Sequence, residues 1–149
     1  MAADLNHDGA ADLTTINEAS TDLRTFLNLA NGSGLFQEPF LDPPVGLPTA
    51  ASPNEPADFD NDGNTDICLS AYSGHVFVAL GKGDGTFAAP QSLPVGVHPR
   101  GIAVLDVDGD ADLDIVNANF LANNLTLLIN DGSGAFGAPT SFNSGLSAE

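Results

Sequence analysis

Positive charge is scarce in this sequence. Three Lys plus Arg stand against 20 Asp plus Glu in 149 residues, a formal net charge of −17. Nucleic-acid binding needs clustered basic side chains to displace counterions from phosphates, so a nucleic-acid partner is excluded. Tryptophan is absent and Tyr72 is the one tyrosine, which weighs against sugar stacking on exposed indoles or phenols. Cys68 is the one cysteine, so no intrachain disulfide forms and the redox compartment is not readable. Its place in an apolar run makes it a small core residue rather than a nucleophile. No apolar run is long enough to span a bilayer, and no membrane insertion is expected. Met1-Ala2-Ala3-Asp4 has neither the basic nor the apolar region of a signal peptide. If the parent protein is exported, its targeting segment is expected outside this chain.

Core-forming residues are plentiful. Hydrophobic residues make up 42% of the chain, enough for one packed domain over 1–149 and too many for a disordered acidic tail. The acidic residues cluster instead in loops. In Asp58-Phe59-Asp60-Asn61-Asp62-Gly63-Asn64-Thr65-Asp66-Ile67, carboxylates occupy positions 1, 3, 5 and 9, and glycine occupies position 6. Two carboxylates about 4 Å apart repel by roughly 4 kcal/mol at an effective dielectric near 20. A central cation turns that repulsion into binding, and hard oxygen donors in a flexible loop suit Ca²⁺. The expected ligands are the side chains of Asp58, Asp60, Asp62 and Asp66 with the backbone carbonyl of Asn64. Gly63 permits the turn that aims them inward. An EF-hand is excluded, because its twelfth position needs Glu and here holds Leu69. The plain alternative is a solvated acidic turn, since Asp, Asn and Gly favour turns anyway.

The loop occurs three times, which fixes the architecture before any local assignment. The others are Asp4-Leu5-Asn6-His7-Asp8-Gly9-Ala10-Ala11-Asp12-Leu13 and Asp106-Val107-Asp108-Gly109-Asp110-Ala111-Asp112-Leu113-Asp114-Ile115. A second landmark recurs in register: Asn31-Gly32-Ser33-Gly34-Leu35-Phe36, Lys82-Gly83-Asp84-Gly85-Thr86-Phe87 and Asp131-Gly132-Ser133-Gly134-Ala135-Phe136. Pro39, Pro90 and Pro139 follow the three phenylalanines. Gly-x-Gly supplies left-handed positions for a tight hairpin. Short apolar segments flank it, at Thr25–Leu29, Val76–Leu80 and Leu125–Ile129 before the hairpin, and at Ile67–Ala71 and Ile115–Ala118 after the acidic loops. Another precedes the third loop at Ile102–Leu105. No amphipathic helix is evident. Four strands per unit of about 50 residues predict an all-β fold of three four-stranded β-propeller blades, over repeats of approximately 1–52, 53–100 and 101–149. Phenylalanines and branched aliphatics are expected to pack between blades. Pro39–Pro56 reads as an insertion between the first two.

Together the residues resemble the FG-GAP/VCBS repeat, which builds integrin-α-like β-propellers with Ca²⁺ in a loop between two strands. That resemblance implies up to three calcium ions, one per repeat. Its ligand positions fall on Asp4, Asn6, Asp8, Ala10 (carbonyl) and Asp12, on Asp58, Asp60, Asp62, Asn64 (carbonyl) and Asp66, and on Asp106, Asp108, Asp110, Asp112 (carbonyl) and Asp114. Two departures stand out. Asn6 replaces an Asp, and Ala111 replaces the glycine of the third loop. The third site is therefore expected to be strained or reshaped, with Asp112 as a compensating carboxylate, and the second site is expected to be the strongest.

Three blades do not close a ring, since propellers have about 4–8. Either the chain is a piece of a longer array, or copies assemble head to tail as a homo-oligomer. An isolated unit is expected to be marginally stable. The resemblance implies an extracellular or cell-surface adhesion or recognition scaffold with structural metal and an unidentified protein or glycan ligand. A lectin-like propeller and a non-catalytic module of a larger secreted enzyme are the alternatives. No enzyme is expected: there is no Gly-x-Ser-x-Gly elbow or His-Glu-x-x-His helix. His7, His75 and His98 read as solvated-turn or structural residues. Asn31-Gly32-Ser33 and Asn124-Leu125-Thr126 match glycosylation acceptors, the first of them also a hairpin turn.

Overall fold

The computed structural model describes residues 1–17, 22–37 and 51–145. Every regular element in it is a strand: β1 Ala2–Ala3, β2 Asp12–Asn17, β3 Asp22–Phe26, β4 Ala51–Ala57, β5 Asp66–Ala71, β6 His75–Ala79, β7 Gln91–Pro94, β8 Pro99–Leu105, β9 Asp114–Asn119, β10 Asn124–Leu128 and β11 Thr140–Asn143. They form antiparallel meanders ordered β1-β2-β3, β4-β5-β6-β7 and β8-β9-β10-β11. These are propeller blades, the second and third four-stranded. In the first, three strands fall within the described residues. The first strand of that blade survives as the pair Ala2↔Leu13 and Ala3↔Asp12.

Local chemistry explains the boundaries. Each acidic loop joins the first two strands of its blade, and each Gly-x-Gly hairpin follows the third. The hairpin closes on a single bridge to the phenylalanine: Asn28↔Phe36, Gly81↔Phe87 and Asn130↔Phe136. The phenylalanines therefore sit ahead of the fourth strand rather than inside it. In blade one the bridged residues are eight apart instead of six, with Ala30 turning the chain at φ 52°. That longer turn moves β3 to Asp22–Phe26, three residues ahead of the apolar segment Thr25–Leu29. The supposed insertion Pro39–Pro56 also needs correction, because its last part, with Ala51, is the regular strand β4. Pro53 falls at a register shift between Ser52 and Asn54, and β4 is an edge strand. Edges and bulges are where a residue without an N–H is tolerated.

The core is the pair of spaces between blades, and the middle blade shows why. All six residues of β5 are buried, because both of its faces are covered. Alternation sends Ile67, Leu69 and Ala71, with Phe77, Ala79 and Phe87, against Leu5 and Leu23 of blade one. The opposite face, with Phe59, Cys68, Val76 and Val78, packs on Ile115 and Leu128 of blade three. Phe59 meets Phe136 edge-on at 5.4 Å. Burial pushes the Cys68 thiol up to about 12, so it stays protonated and unreactive at neutral pH. A polar chain is sealed between blades two and three. Ser70 donates to Asn117 Oδ1 at 2.6 Å, Asn117 donates to Asn119 Oδ1 at 2.7 Å, and Asn119 donates to Thr126 Oγ1 at 2.8 Å.

Blade one contributes a flaw to this core. Thr14 and Thr25 are cross-strand partners, both buried, and both hydroxyls lack a hydrogen-bond partner. An unsatisfied buried hydroxyl costs on the order of 1–3 kcal/mol. Thr14→Val and Thr25→Val keep the shape and remove the cost. Each is expected to raise unfolding free energy by about 1 kcal/mol, read from denaturant midpoints.

Candidate metal centre

The three acidic loops share one backbone. Positions 4 and 6 are left-handed in each: His7 and Gly9 (φ 60° and 83°), Asn61 and Gly63 (58° and 85°), Gly109 and Ala111 (85° and 76°). This double turn directs main-chain N–H groups at the first aspartate. Asp58 accepts from Asp62 and Gly63 at 3.2 and 3.0 Å. Asp4 accepts from Asp8 and Gly9 at 3.2 and 2.9 Å. Asp106 accepts from Gly109 and Ala111 at 2.7 and 3.1 Å.

The ninth-position aspartates carry a second role that sequence alone did not reveal. Asp12, Asp66 and Asp114 are fully buried. Asp66 accepts from Phe59 N–H at 2.7 Å through Oδ2 and from Gly81 N–H at 2.7 Å through Oδ1. Asp114 likewise takes Val107 and Asn130 N–H, both at 2.9 Å. Asp12 takes Leu5 at 2.9 Å and Asn28 at 2.8 Å. Each carboxylate thus ties the loop to the closing bridge of the hairpin. The spacing concealed the equivalence of Asn28, Gly81 and Asn130, because blade one has the longer turn and blade two has glycine there.

Two carboxylate triads emerge, Asp58-Asp60-Asp66 and Asp106-Asp108-Asp114, each offering oxygens within 4.8 Å of one another. Ligands of one calcium ion, at about 2.3–2.6 Å from it, are at most about 5 Å apart, so both donor sets fit that ion. In the first loop Asn6 replaces the middle carboxylate, and its amide is engaged with Asp8: Nδ2 donates to Oδ2 at 3.0 Å and Oδ1 accepts from Asp8 N–H at 3.2 Å. Asp8, Asp62 and Asp110 all lie outside these triads. Each accepts from the N–H two residues on, at 2.9, 2.7 and 3.0 Å, through Ala10, Asn64 and Asp112.

Positions 4 and 7 link neighbouring blades. His7 Nε2 lies 2.8 Å from Asn64 Oδ1, and Asn61 Nδ2 donates to Asp112 Oδ1 at 2.9 Å and to the Gly132 carbonyl at 3.2 Å. His7 is therefore an exposed bridge between blades rather than a merely solvated turn residue. Asp112, the expected compensating carboxylate, also joins its loop to blade two through Asn61. His75 opens β6. His98 stacks on Tyr72 at 4.4 Å, with Arg100 4.8 Å from the Phe120 ring.

Crowding and burial raise the affinity of the triads for protons. Burial, reinforced by Asp60 and Asp58, pushes Asp66 up to about 6 despite its two N–H bonds, which favour the charged form. Burial and then Asp62 raise Asp60, while burial and then Asp110 raise Asp108. The hairpin aspartates Asp84 and Asp131 are lowered, chiefly by the hydroxyls of Thr86 and Ser133.

Residues 4–69 and 58–117 each match the model of the FG-GAP-like repeat. The matches span more than half of the chain, which belongs to the FG-GAP-like repeat family. A comparison with curated proteins gives no match. Among solved structures, the chain resembles a lectin from Agrocybe aegerita described for specific recognition of non-reducing terminal N-acetylglucosamine. Identity is 26% and TM-score 0.66, over 99% of this chain and 38% of the lectin. It also resembles part of the Photorhabdus luminescens Tc holotoxin pore at 19% identity and TM-score 0.55, over 95% of this chain and 7% of that one. The second likeness shows the fold alone.

Two predictions follow from the loop geometry. Ala111 holds a left-handed conformation that costs a side-chain residue roughly 1–2 kcal/mol. Ala111→Gly is expected to stabilise by about 1 kcal/mol in chemical denaturation. Gly63→Ala, where an added Cβ meets nothing within 4 Å, is expected to lose a similar amount through conformation alone. The second concerns pH without metal. The raised Asp66 value means the folded chain holds that proton more tightly than the unfolded chain. The resulting destabilisation is absent below about pH 4 and complete above about pH 6. The lowered groups act in the opposite sense, as pH falls below their ordinary range. In chelator the denaturation midpoint is therefore expected to be higher at pH 5 than at pH 7. Saturating calcium is expected to reverse that order, because protons compete for its ligands.

Proposed function

We propose that the chain is a calcium-stabilised propeller module of an extracellular recognition or adhesion protein, with the metal structural rather than catalytic. The observation that carries this reading is the repetition of a carboxylate triad, its ninth-position member buried, at the same place in consecutive blades. Calcium would be held by Asp58, Asp60 and Asp66, and by Asp106, Asp108 and Asp114. Asp62, Asp110 and the carbonyls of Asn64 and Asp112 would complete the two sets. Asp4, Asn6, Asp8, Asp12 and the Ala10 carbonyl form a weaker third site, lacking one charge. Bound calcium cancels the repulsion within each triad, and the ninth aspartate passes that gain to the hairpin it anchors. Extracellular calcium modules bind at roughly 10⁻⁴–10⁻³ M, which suits a site that is filled outside cells. Among the described residues no helix is long and apolar enough to cross a membrane.

A carbohydrate ligand is the second reading, supported by the likeness to the lectin and by one feature of blade three. An open pocket of about 410 Å³ is lined by Arg100, Phe120, Asn119, Asn123 and Asn124 among others. Phe120 is 58% exposed and offers a ring face beside amide donors and acceptors. That combination suits the apolar face and hydroxyl rim of a sugar, and it stands in place of the missing tryptophan.

Titrated calcium is expected to raise the melting temperature by several degrees at millimolar concentration, and Asp66→Asn to abolish most of that rise. A melting temperature indifferent to calcium contradicts the metal reading. For the glycan reading, an array probed in calcium is expected to give binding that Phe120→Ala removes while leaving the melting temperature intact. Binding that survives Phe120→Ala places the ligand elsewhere.

A further inference from the structure

Asn31 is the one asparagine of this chain that is followed by glycine. It stands in the hairpin of blade one, where Asn31, Gly32 and Ser33 are all exposed. That exposure does not come from where the sequence begins. Lys82 and Asp131 hold the same place before Gly-x-Gly in blades two and three. Both are exposed, although the preceding blade packs on each hairpin through Gly85 and Gly134. A blade ahead of blade one would leave Asn31 in solvent in the same way.

The Asn31 side chain folds back over its own turn. Its Oδ1 accepts from Ser33 N–H at 3.0 Å, which holds the side-chain carbonyl beside the main chain of Gly32. Gly32 has no Cβ to hinder an approach, and a Cβ placed there would meet nothing within 4 Å. At Gly83 and Gly132 the same Cβ would run into Asn64 and Asp112. Among the described residues nothing accepts the Gly32 N–H. Four of the five Asp-Gly steps in the chain have that N–H engaged: Gly9 on Asp4, Gly63 on Asp58, Gly109 on Asp106 and Gly85 on the Leu5 carbonyl. The fifth, Asp131-Gly132, has the turn of Asn31 but a carboxylate in place of the amide. The Ser133 hydroxyl and N–H hold Asp131 below the ordinary carboxylate range, so it stays ionised and is a poor electrophile.

We propose that Asn31 is a site of spontaneous modification, at which the Gly32 main-chain nitrogen displaces the side-chain amide and closes a succinimide that water opens to aspartate or isoaspartate. The bond from Gly32 N to Asn31 Cγ forms as the Cγ–Nδ2 bond breaks. Nδ2 leaves as ammonia with the proton that Gly32 gives up. Water then cleaves one of the two acyl bonds at the Gly32 nitrogen. Cleavage at Cγ gives aspartate. Cleavage at the main-chain carbonyl carbon gives isoaspartate, with the chain running through Cβ and Cγ. Nothing is oxidised or reduced. The reacting groups sit on adjacent residues and need no encounter. Negative charge that develops on Oδ1 meets the Ser33 N–H, a donor already in place. Either product adds one negative charge. Aspartate at 31 copies Asp131, which accepts from Ser133 N–H at 3.0 Å and from its hydroxyl at 2.6 Å, so the turn accommodates it. The proposal draws on neither the calcium nor the glycan reading.

The test keeps the 149-residue chain at physiological temperature, folded in buffer or unfolded in denaturant, at about pH 6 and about pH 9. Peptide mass spectrometry with electron-transfer fragmentation then tells aspartate from isoaspartate. Asn31 is expected to gain one mass unit as a mixture of the two. In the folded chain it is expected to convert no more slowly than in denaturant, roughly tenfold or more ahead of every other asparagine, and faster at the higher pH. Gly32→Ala is expected to slow the conversion severalfold in both states. Asn31→Asp is expected to leave the melting temperature unchanged. An Asn31 that stays intact in the folded chain while the unfolded chain converts it overturns the proposal, as does conversion spread evenly over the asparagines. A melting temperature lowered by several degrees in Asn31→Asp overturns the claim that the turn accommodates the product.

Discussion

A buried carboxylate at the ninth position of each loop holds this fold in register. An aspartate with no solvent exposure is costly unless both oxygens are satisfied. Here both are, by one N–H from the loop and one from the hairpin bridge, at 2.7–2.9 Å in all three blades. The loop and hairpin are thereby fixed to each other at one end of the blade. From that fixed point the second loop residue reaches the neighbouring blade. Leu5 and Phe59 insert their side chains there and accept a glycine N–H on the main chain. One charged group thus organises contacts within a blade and, one residue removed, between blades.

The same group gives the proposed cation its physical rationale. Two N–H donors satisfy Asp66 as a hydrogen-bond acceptor but leave its charge facing Asp58 and Asp60. Burial, with that repulsion added, raises its pKa to about 6 despite the two donors. A chain with a formal charge of −17 has little lysine or arginine to supply compensation from its own side chains. The proposed divalent cation would supply it where the carboxylates crowd, and would add rigidity because its ligand is also the structural tie.

Much of this was legible in the residues. Two landmarks repeating in register gave the blades, their number and the strand-to-strand connections, because a repeat imposes its geometry on every copy. The short apolar segment Ile67–Ala71 was readable as a strand, though not which face met which blade, since β5 is buried on both sides. The first-position and third-position aspartates stand where the loop pattern puts them, and the triads at Asp58 and Asp106 bring them together with the ninth. Less visible were features that depend on a neighbour distant in sequence. His7 and Asn61 look like ordinary turn residues until blade packing places Asn64 and Asp112 beside them. The displaced strand β3 followed from two extra turn residues that leave no mark in hydropathy. The strand within Pro39–Pro56 was hidden because proline usually argues against a strand, and only the edge position of β4 permits it.

The central claim, that buried aspartates are the joints on which blade order depends, is tested most directly by amide hydrogen exchange with calcium and in chelator. Phe59, Gly81, Val107 and Asn130 N–H, all bonded to Asp66 or Asp114, should be among the slowest to exchange and should open together with β5 and β9. Calcium should slow them more than Leu5 and Asn28, whose loop lacks the carboxylate triad. If these four amides exchange rapidly while β5 and β9 stay protected, the carboxylates are ornaments on a fold held by its apolar faces alone, and the account is wrong.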